Sequence, residues 1–177
     1  MTDIISKDNS PSKASDSSKQ NNSSPPPALV ELIELLFFAY RDFTKDPDAI
    51  LEEYGFGRAH HRVLHFVSHY PGLRVADLLD ILKITKQSLA RVLKQLVEEG
   101  FVEQRPGPSD RRERRLFATK QGEQLARRLI EPQLSRISTA LKRSGVESEE
   151  ISRKLLYNMI NSAEHEAILE LFSRQKP

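Results

Sequence analysis

Residues 75–100 read VADLLDILKITKQSLARVLKQLVEEG. Val75, Leu78, Leu79 and Leu82 are spaced for one face of a short helix, and Thr85 opens a longer helix that Gly100 closes as a C-cap glycine. Between them Lys83-Ile84-Thr85 leaves room only for a tight turn. On the longer helix Leu89, Val92, Leu93 and Leu96 share one side, whereas Gln87, Arg91 and Lys94 lie opposite, flanked by Ser88 and Gln95. Gln, Arg, Lys and Ser are side chains that hydrogen-bond base edges and phosphates in a major groove. The layout is that of a helix-turn-helix.

Downstream of Gly100 the period changes from helical to alternating. Residues 101–105 (Phe101 to Arg105) and 115–118 (Arg115 to Ala118) read as two short strands. The intervening Pro106-Gly107-Pro108-Ser109-Asp110 is loop by composition, and Asp110-Arg111-Arg112-Glu113-Arg114-Arg115 places four arginines in six positions. A two-stranded hairpin with a basic tip next to a helix-turn-helix makes a winged helix-turn-helix. Thr119 caps a long helix carrying Leu125, Leu129, Ile130, Leu134, Ile137 and Leu141, with an expected kink at Pro132 and an end at Gly145. A single last helix is expected over 148–172, with Ile151, Leu155, Met159, Ile160, Ala163 and Leu171 inward.

Upstream, Arg58 to Tyr70 reads as a helix stopped by Pro71-Gly72. Before it, Asp46-Pro47-Asp48 reads as an N-cap with proline at the first helical position, opening a short helix to about Tyr54 that Gly55 and Gly57 break. Leu29 to Thr44 forms a separate helix. Its polar Glu31, Glu34, Arg41, Asp42 and Lys45 occupy one narrow stripe, and the rest of its circumference, including Leu32, Ile33, Leu36, Phe37 and Tyr40, is apolar. Such a helix needs more than one packing partner, and a second subunit is the natural one in so small a protein. Residues 1–27 hold eight serines, four prolines and three asparagines; too little apolar surface is present to repay ordering, so a disordered tail is expected.

Composition narrows the function. The 177 residues correspond to about one domain, and the chain has no cysteine, hence no disulfide or thiolate metal site. The longest apolar run, Leu35 to Tyr40, is six residues against the ~20 a membrane span needs, and Ile4-Ile5 alone does not make a signal peptide. A cytoplasmic location without membrane contact is the expectation. The net charge of +2 conceals a division: residues 28–54 carry seven acids and two bases, whereas 58–115 carry twelve bases and seven acids. One face suits a polyanion and another suits a different partner. There is no Gly-rich phosphate loop and no recognisable nucleophile motif, so no enzyme chemistry and no cofactor are expected.

Asp110-Arg111-Arg112 followed by Leu116 and Ala118-Thr119-Lys120-Gln121-Gly122 resembles the wing motif of the MarR family of bacterial transcriptional regulators, with Ala118 in place of the usual leucine. The resemblance extends over about residues 29–172. Gly57-Arg58-Ala59-His60-His61-Arg62-Val63-Leu64 and Ile84-Thr85-Lys86-Gln87-Ser88-Leu89 are similar to an alphaproteobacterial branch, the PetP- and LdtR-like regulators. The family implies a mainly α fold with a small β-hairpin. In it a winged helix-turn-helix lobe (58–120) sits between N-terminal (28–57) and C-terminal (121–177) dimerisation segments.

The resemblance also implies a homodimer on a pseudo-palindromic double-stranded DNA operator, with the recognition helix in the major groove and the wing in the adjacent minor groove. DNA-binding residues are then Thr85, Lys86, Gln87, Ser88, Arg91 and Lys94, with Asp110, Arg111, Arg112 and Arg114 from the wing. Asp110 is assigned to holding an arginine by a charge-assisted hydrogen bond, Arg112 to the minor groove, and Arg111, Arg114 and Arg115 to phosphate. Members of the family also bind small aromatic effectors between the dimerisation helices and the DNA-binding lobe, which singles out Tyr40, Thr44, His65 and Phe66.

Two further features have competing readings. His60, His61, His65 and His69 crowd one helix, but with no cysteine and no third ligand nearby they read as crevice lining or helix-interface residues, and no metal is assigned. The winged helix itself has an alternative use as a protein-interaction module without DNA readout, against which the basic tip and the Gln87, Arg91, Lys94 face weigh.

Overall fold

A computed structural model describes residues 26–174. The tail expected over 1–27 lies outside them except for Pro26 and Pro27. The order is α1 (Pro27–Glu52), α2 (Arg58–His69), β1 (Leu73–Arg74), α3 (Val75–Leu82), α4 (Lys86–Glu98), β2 (Val102–Pro106), β3 (Arg114–Ala118), α5 (Lys120–Ser144), α6 (Ser148–Met159), a 3₁₀ turn (Ser162–Glu164) and α7 (His165–Ser173). No described helix is long and apolar enough to cross a membrane. The core gathers Val63, Leu64 and Val67 of α2, Leu78 of α3, Leu89, Val92, Leu93 and Leu96 of α4, Leu116 of β3, and Leu125 and Leu129 of α5.

The helix-turn-helix forms as its sequence dictates. Lys83 takes the left-handed conformation (φ 49°) that ends α3, and the Thr85 hydroxyl accepts the Ser88 N–H at 3.1 Å to begin α4. The expected hairpin forms as β2 and β3 and gains a third antiparallel strand, in the order β1-β3-β2, because Leu73 and Arg74 pair with Leu116 and Arg115. Two residues carry no readable alternation; tertiary pairing alone defines β1. The strands β2 and β3 run in register from Val102↔Ala118 to Pro106↔Arg114.

The helix break expected at Asp46-Pro47 is absent: α1 runs through Pro47 as one 26-residue helix. The proline ring deprives the Phe43 carbonyl of its helical donor. The amide of Gln133, a buried polar side chain on α5, points at that carbonyl from 3.5 Å. Pro47 and Leu51 are buried, so the burial against α5 offsets what the lost bond costs. On α5 itself the helix continues through Pro132 to Gly145, which has φ 101°. The single helix expected over 148–172 is divided instead. Asn161 accepts the Ala163 N–H through its side chain, and Ile160 is extended, so the chain restarts as α7. Leu171 of α7 reaches the core, but Ile151, Leu155 and Met159 are exposed in the protomer rather than inward.

Where β3 ends and α5 begins, the backbones nearly touch. The Thr119 hydroxyl donates to the Gly100 carbonyl at 2.6 Å and accepts the Gly122 N–H at 3.1 Å, while the Thr119 N–H donates to the Phe101 carbonyl at 3.0 Å. A Cβ on Gly122 would lie 2.0 Å from the Phe101 carbonyl oxygen. Gly122→Ala is therefore expected to destabilise the protein by at least about 2 kcal/mol, since a backbone rather than a flexible side chain must give way. Denaturant unfolding compared with Lys120→Ala, an exposed site on the same helix turn, measures it.

Candidate nucleic-acid interface

The four buried leucines and valines of α4 fix its roll. With Leu89, Val92, Leu93 and Leu96 in the core, Lys86, Gln87, Ser88, Arg91 and Lys94 are all exposed on the other side. Among the described residues, the side chains of Lys86, Gln87 and Arg91 engage in no hydrogen bond or ion pair, whereas Lys94 reaches Glu98 at 3.7 Å. Thr85 and Ser88 are partly spent on each other, since the Thr85 hydroxyl also donates to the Ser88 hydroxyl at 2.9 Å. Gln95, flanking that face, is committed inward. Its Oε1 lies 2.9 Å from His60 Nε2 and its amide donates to Glu99. His60 Nδ1 accepts the Gly57 N–H at 3.1 Å, which leaves the ring proton on Nε2 to donate to Gln95. His60 thus buckles the start of α2 to the middle of α4, with Phe56 stacked on its ring at 4.7 Å. The sequence pattern offered no sign of this pairing across 35 positions.

The connection between β2 and β3 is a compact, hydrogen-bonded loop. Gly107 N–H donates to the Glu113 carbonyl at 2.9 Å and Glu113 N–H to the Asp110 carbonyl at 3.1 Å. The Asp110 carboxylate accepts the backbone N–H of Arg112 at 2.8 Å. The expected bond from Asp110 to an arginine side chain is thereby replaced by one to the main chain; Asp110 shapes the turn that presents Arg112. Arg111, Arg112 and Arg114 are exposed, with side chains free of partners among the described residues. Arg115, expected to meet phosphate, is instead half-buried and donates to Glu113 at 2.8 Å. Arg105 lies over the Phe117 ring at 4.4 Å, bracing the strands beneath the tip.

These arrangements have counterparts in known proteins. Residues 54–113 match the sequence profile of the MarR family. PetP, an HTH-type transcriptional regulator of Rhodobacter capsulatus, is 47% identical over 131 residues, covering 74% of this chain and 79% of PetP. The chain belongs to the MarR family. It is a transcriptional regulator and not an enzyme. A crystal structure of MarR superposes with a TM-score of 0.57 at 25% identity, over 84% of this chain and 96% of that one. A mutant MarR from E. coli, complexed with operator DNA, shares the fold with a TM-score of 0.59 at 18% identity, over 78% of this chain and 100% of that one.

The four residues singled out for an effector stand apart from the clearest concavities of the protomer. Cavities of about 710, 440, 670 and 590 Å³ are each lined by other residues. Thr44 is buried with its hydroxyl donating to the Tyr40 carbonyl at 3.0 Å, and the exposed Tyr40 ring faces the Arg58 guanidinium at 5.6 Å. His65 packs edge-on against Phe66 at 5.2 Å and stacks on His69 at 4.3 Å. Among the described residues no three His, Asp or Glu side chains come together as a metal-holding group.

Burial, reinforced by the neighbouring charges of His69 and His61, pushes His65 down from 6.5 to about 4. The folded protein holds this ring neutral while the unfolded chain protonates it near 6.5. Its contribution is present in full above pH 6.5, declines as the pH falls, and is lost by about pH 4. Allowing for partial exposure, unfolding free energy should drop by about 2 kcal/mol across that window from this residue. Urea titrations at pH 7.5 and 4.5 check it: His65→Gln should flatten the profile, and an unchanged slope would remove His65 as the cause.

Proposed function

We propose that the protein is a homodimeric, sequence-specific DNA-binding regulator that reads a pseudo-palindromic operator in the cytoplasm. The observation that carries this reading is the exposed set Lys86, Gln87 and Arg91 on α4, together with Arg111, Arg112 and Arg114 on the wing, whose side chains have no partners among the described residues. An amphipathic helix inserted in the major groove and a basic loop beside it is a combination that serves base readout and phosphate neutralisation together. Residues 58–120 form the reading lobe in this proposal, with 28–57 and 121–177 supplying the dimer contacts.

The case for a homodimer rests on apolar surface. Leu32, Ile33, Leu36, Phe37 and Phe38 of α1, Leu134 and Ile137 of α5, and Ile151, Leu155 and Met159 of α6 are all exposed, Phe37 by 67%. An apolar surface on this scale, carried by the three long helices outside the lobe, marks a partner interface. A small aromatic ligand acting near Tyr40, Thr44, His65 and Phe66 would change DNA affinity only by binding the DNA-competent and incompetent dimers unequally.

Leu36→Arg should convert the dimer to monomer or unfold it, because a charge would be buried without a partner. Sedimentation at micromolar concentration reads this; a monomeric wild type would contradict it. Operator binding separates the two reading elements. Gln87→Ala should relax discrimination at particular bases by about 1–3 kcal/mol, whereas Arg112→Ala should weaken binding with loss of preference for narrow A·T-rich grooves. Competition against single-base operator variants distinguishes them. Binding that is equal on operator and scrambled DNA across a salt series would overturn sequence readout and favour a protein-interaction role.

A further inference from the structure

The end of α7 returns to the lobe beside the sheet, at some distance in sequence from anything it touches. Leu171 enters the core, and Glu164, just before α7, pairs with Lys83 in the turn of the helix-turn-helix at 3.1 Å. There Arg174, the residue that caps the C-terminal end of α7, forms one side of a cavity of about 670 Å³ whose other walls are the α2–β1 connection, the start of α3 and β3. Arg174, Arg74 and Arg115 all line it, with His69, Tyr70 and Asp77. Three guanidinium groups line it, each paired with one carboxylate (Asp77, Glu113 and Glu170), so their charge is balanced while most of their hydrogen-bonding edges are left over.

Each guanidinium is held by one edge, leaving the others free. Arg74 donates through Nε and one terminal nitrogen to Asp77, at 3.0 and 2.6 Å. Arg115 donates through Nε to Glu113 at 2.8 Å, and Arg174 through one terminal nitrogen to Glu170 at 2.7 Å. With five donors per guanidinium, each retains at least three. The groups sense one another: Asp77, which burial alone would raise, is drawn below the ordinary carboxylate range by hydrogen bonds from Arg74 and by the charges of Arg74 and Arg174. Tyr70 adds an independent sign. It is 6% exposed, yet its hydroxyl has no hydrogen-bond partner among the described residues.

We infer that this cavity is a binding site for a small, multiply charged oxyanion of the phosphate-ester or dicarboxylate class. Pre-oriented guanidinium edges recognise such groups in bidentate fashion, and the phenol supplies a neutral donor. The size suits a metabolite rather than a lone ion. Occupation ties α7 to β3, the strand that leads out of the wing.

Pyrophosphate is the probe, titrated calorimetrically into the full chain with ionic strength held constant by sodium chloride. Saturable binding at one site per chain is expected. Arg174→Gln, at the exposed end of α7, should weaken it about tenfold or more without changing the melting temperature in the absence of pyrophosphate. Hydrogen exchange over 165–173 should slow on binding in the wild type alone. Non-saturating heats, or equal binding by wild type and Arg174→Gln, would overturn the site. Loss of DNA affinity in Arg174→Gln with no pyrophosphate binding by the wild type would also overturn it, assigning the arginines to the DNA backbone.

Discussion

The crossing of Gly100-Phe101 with Thr119-Gly122 sets the geometry on which everything else hangs. At that point α4 has just ended and the long helix α5 begins, and two hydrogen bonds from Thr119 to the Gly100 and Phe101 carbonyls, with a glycine without room for a methyl, lock the two backbones together. The direction in which α5 leaves the lobe is therefore not adjustable. Since α5 carries exposed Leu134 and Ile137 and packs along α1, the crossing fixes the position of the reading face relative to the apolar surface. In the proposed dimer, two reading helices that must meet successive major grooves need such a fixed arm. Any ligand that changes the protein's affinity for DNA would have to act on elements beyond this crossing rather than bend it.

Around that fixed point the lobe is tied at several places by polar contacts rather than by core packing alone. His60 joins α2 to α4 through Gln95, and Lys83 joins the helix-turn-helix turn to the segment before α7. On the other side, Arg128 donates to both Glu53 and the Tyr54 hydroxyl, and Arg136 to Asp46, clasping the second half of α1 against α5. The exposed ion pairs among them each contribute little to stability, but they specify which faces meet. The first half of α1, by contrast, is exposed and packs on nothing among the described residues. That asymmetry accounts for the helix being apolar on all but one narrow stripe better than any intrachain contact does.

Much of this was legible in the sequence wherever a local rule operates. The caps Thr85 and Thr119, the glycines 100 and 145, and the division of α4 into Leu89, Val92, Leu93, Leu96 and Gln87, Arg91, Lys94 faces are all set within a few residues, and the structure has them there. The departures share a different cause: a partner distant in sequence. Pro47 continues a helix because Gln133 and the α5 surface are there to receive it; β1 exists because Leu116 and Arg115 pair with it; Gln95 turns inward because His60 does. Asn161 is the exception, a local cap that the apolar periodicity of the C-terminal region concealed. In the wing the acid–arginine relation was visible but its atoms were not: Asp110 grips the main chain of Arg112, leaving the guanidinium unpaired.

The central claim is that two copies of one lobe, held by a rigid dimer, read two successive major grooves while their wings flank them. Methylation interference on an operator selected from genomic DNA tests it most directly, since it reports guanine N7 contacts in the major groove and adenine N3 contacts in the minor groove on one molecule. The account predicts two clusters of major-groove interference about one helical turn, ~10 bp, apart and related by two-fold symmetry, each bordered on its outer side by minor-groove interference. A single unpaired cluster, or interference confined to one groove, would contradict it.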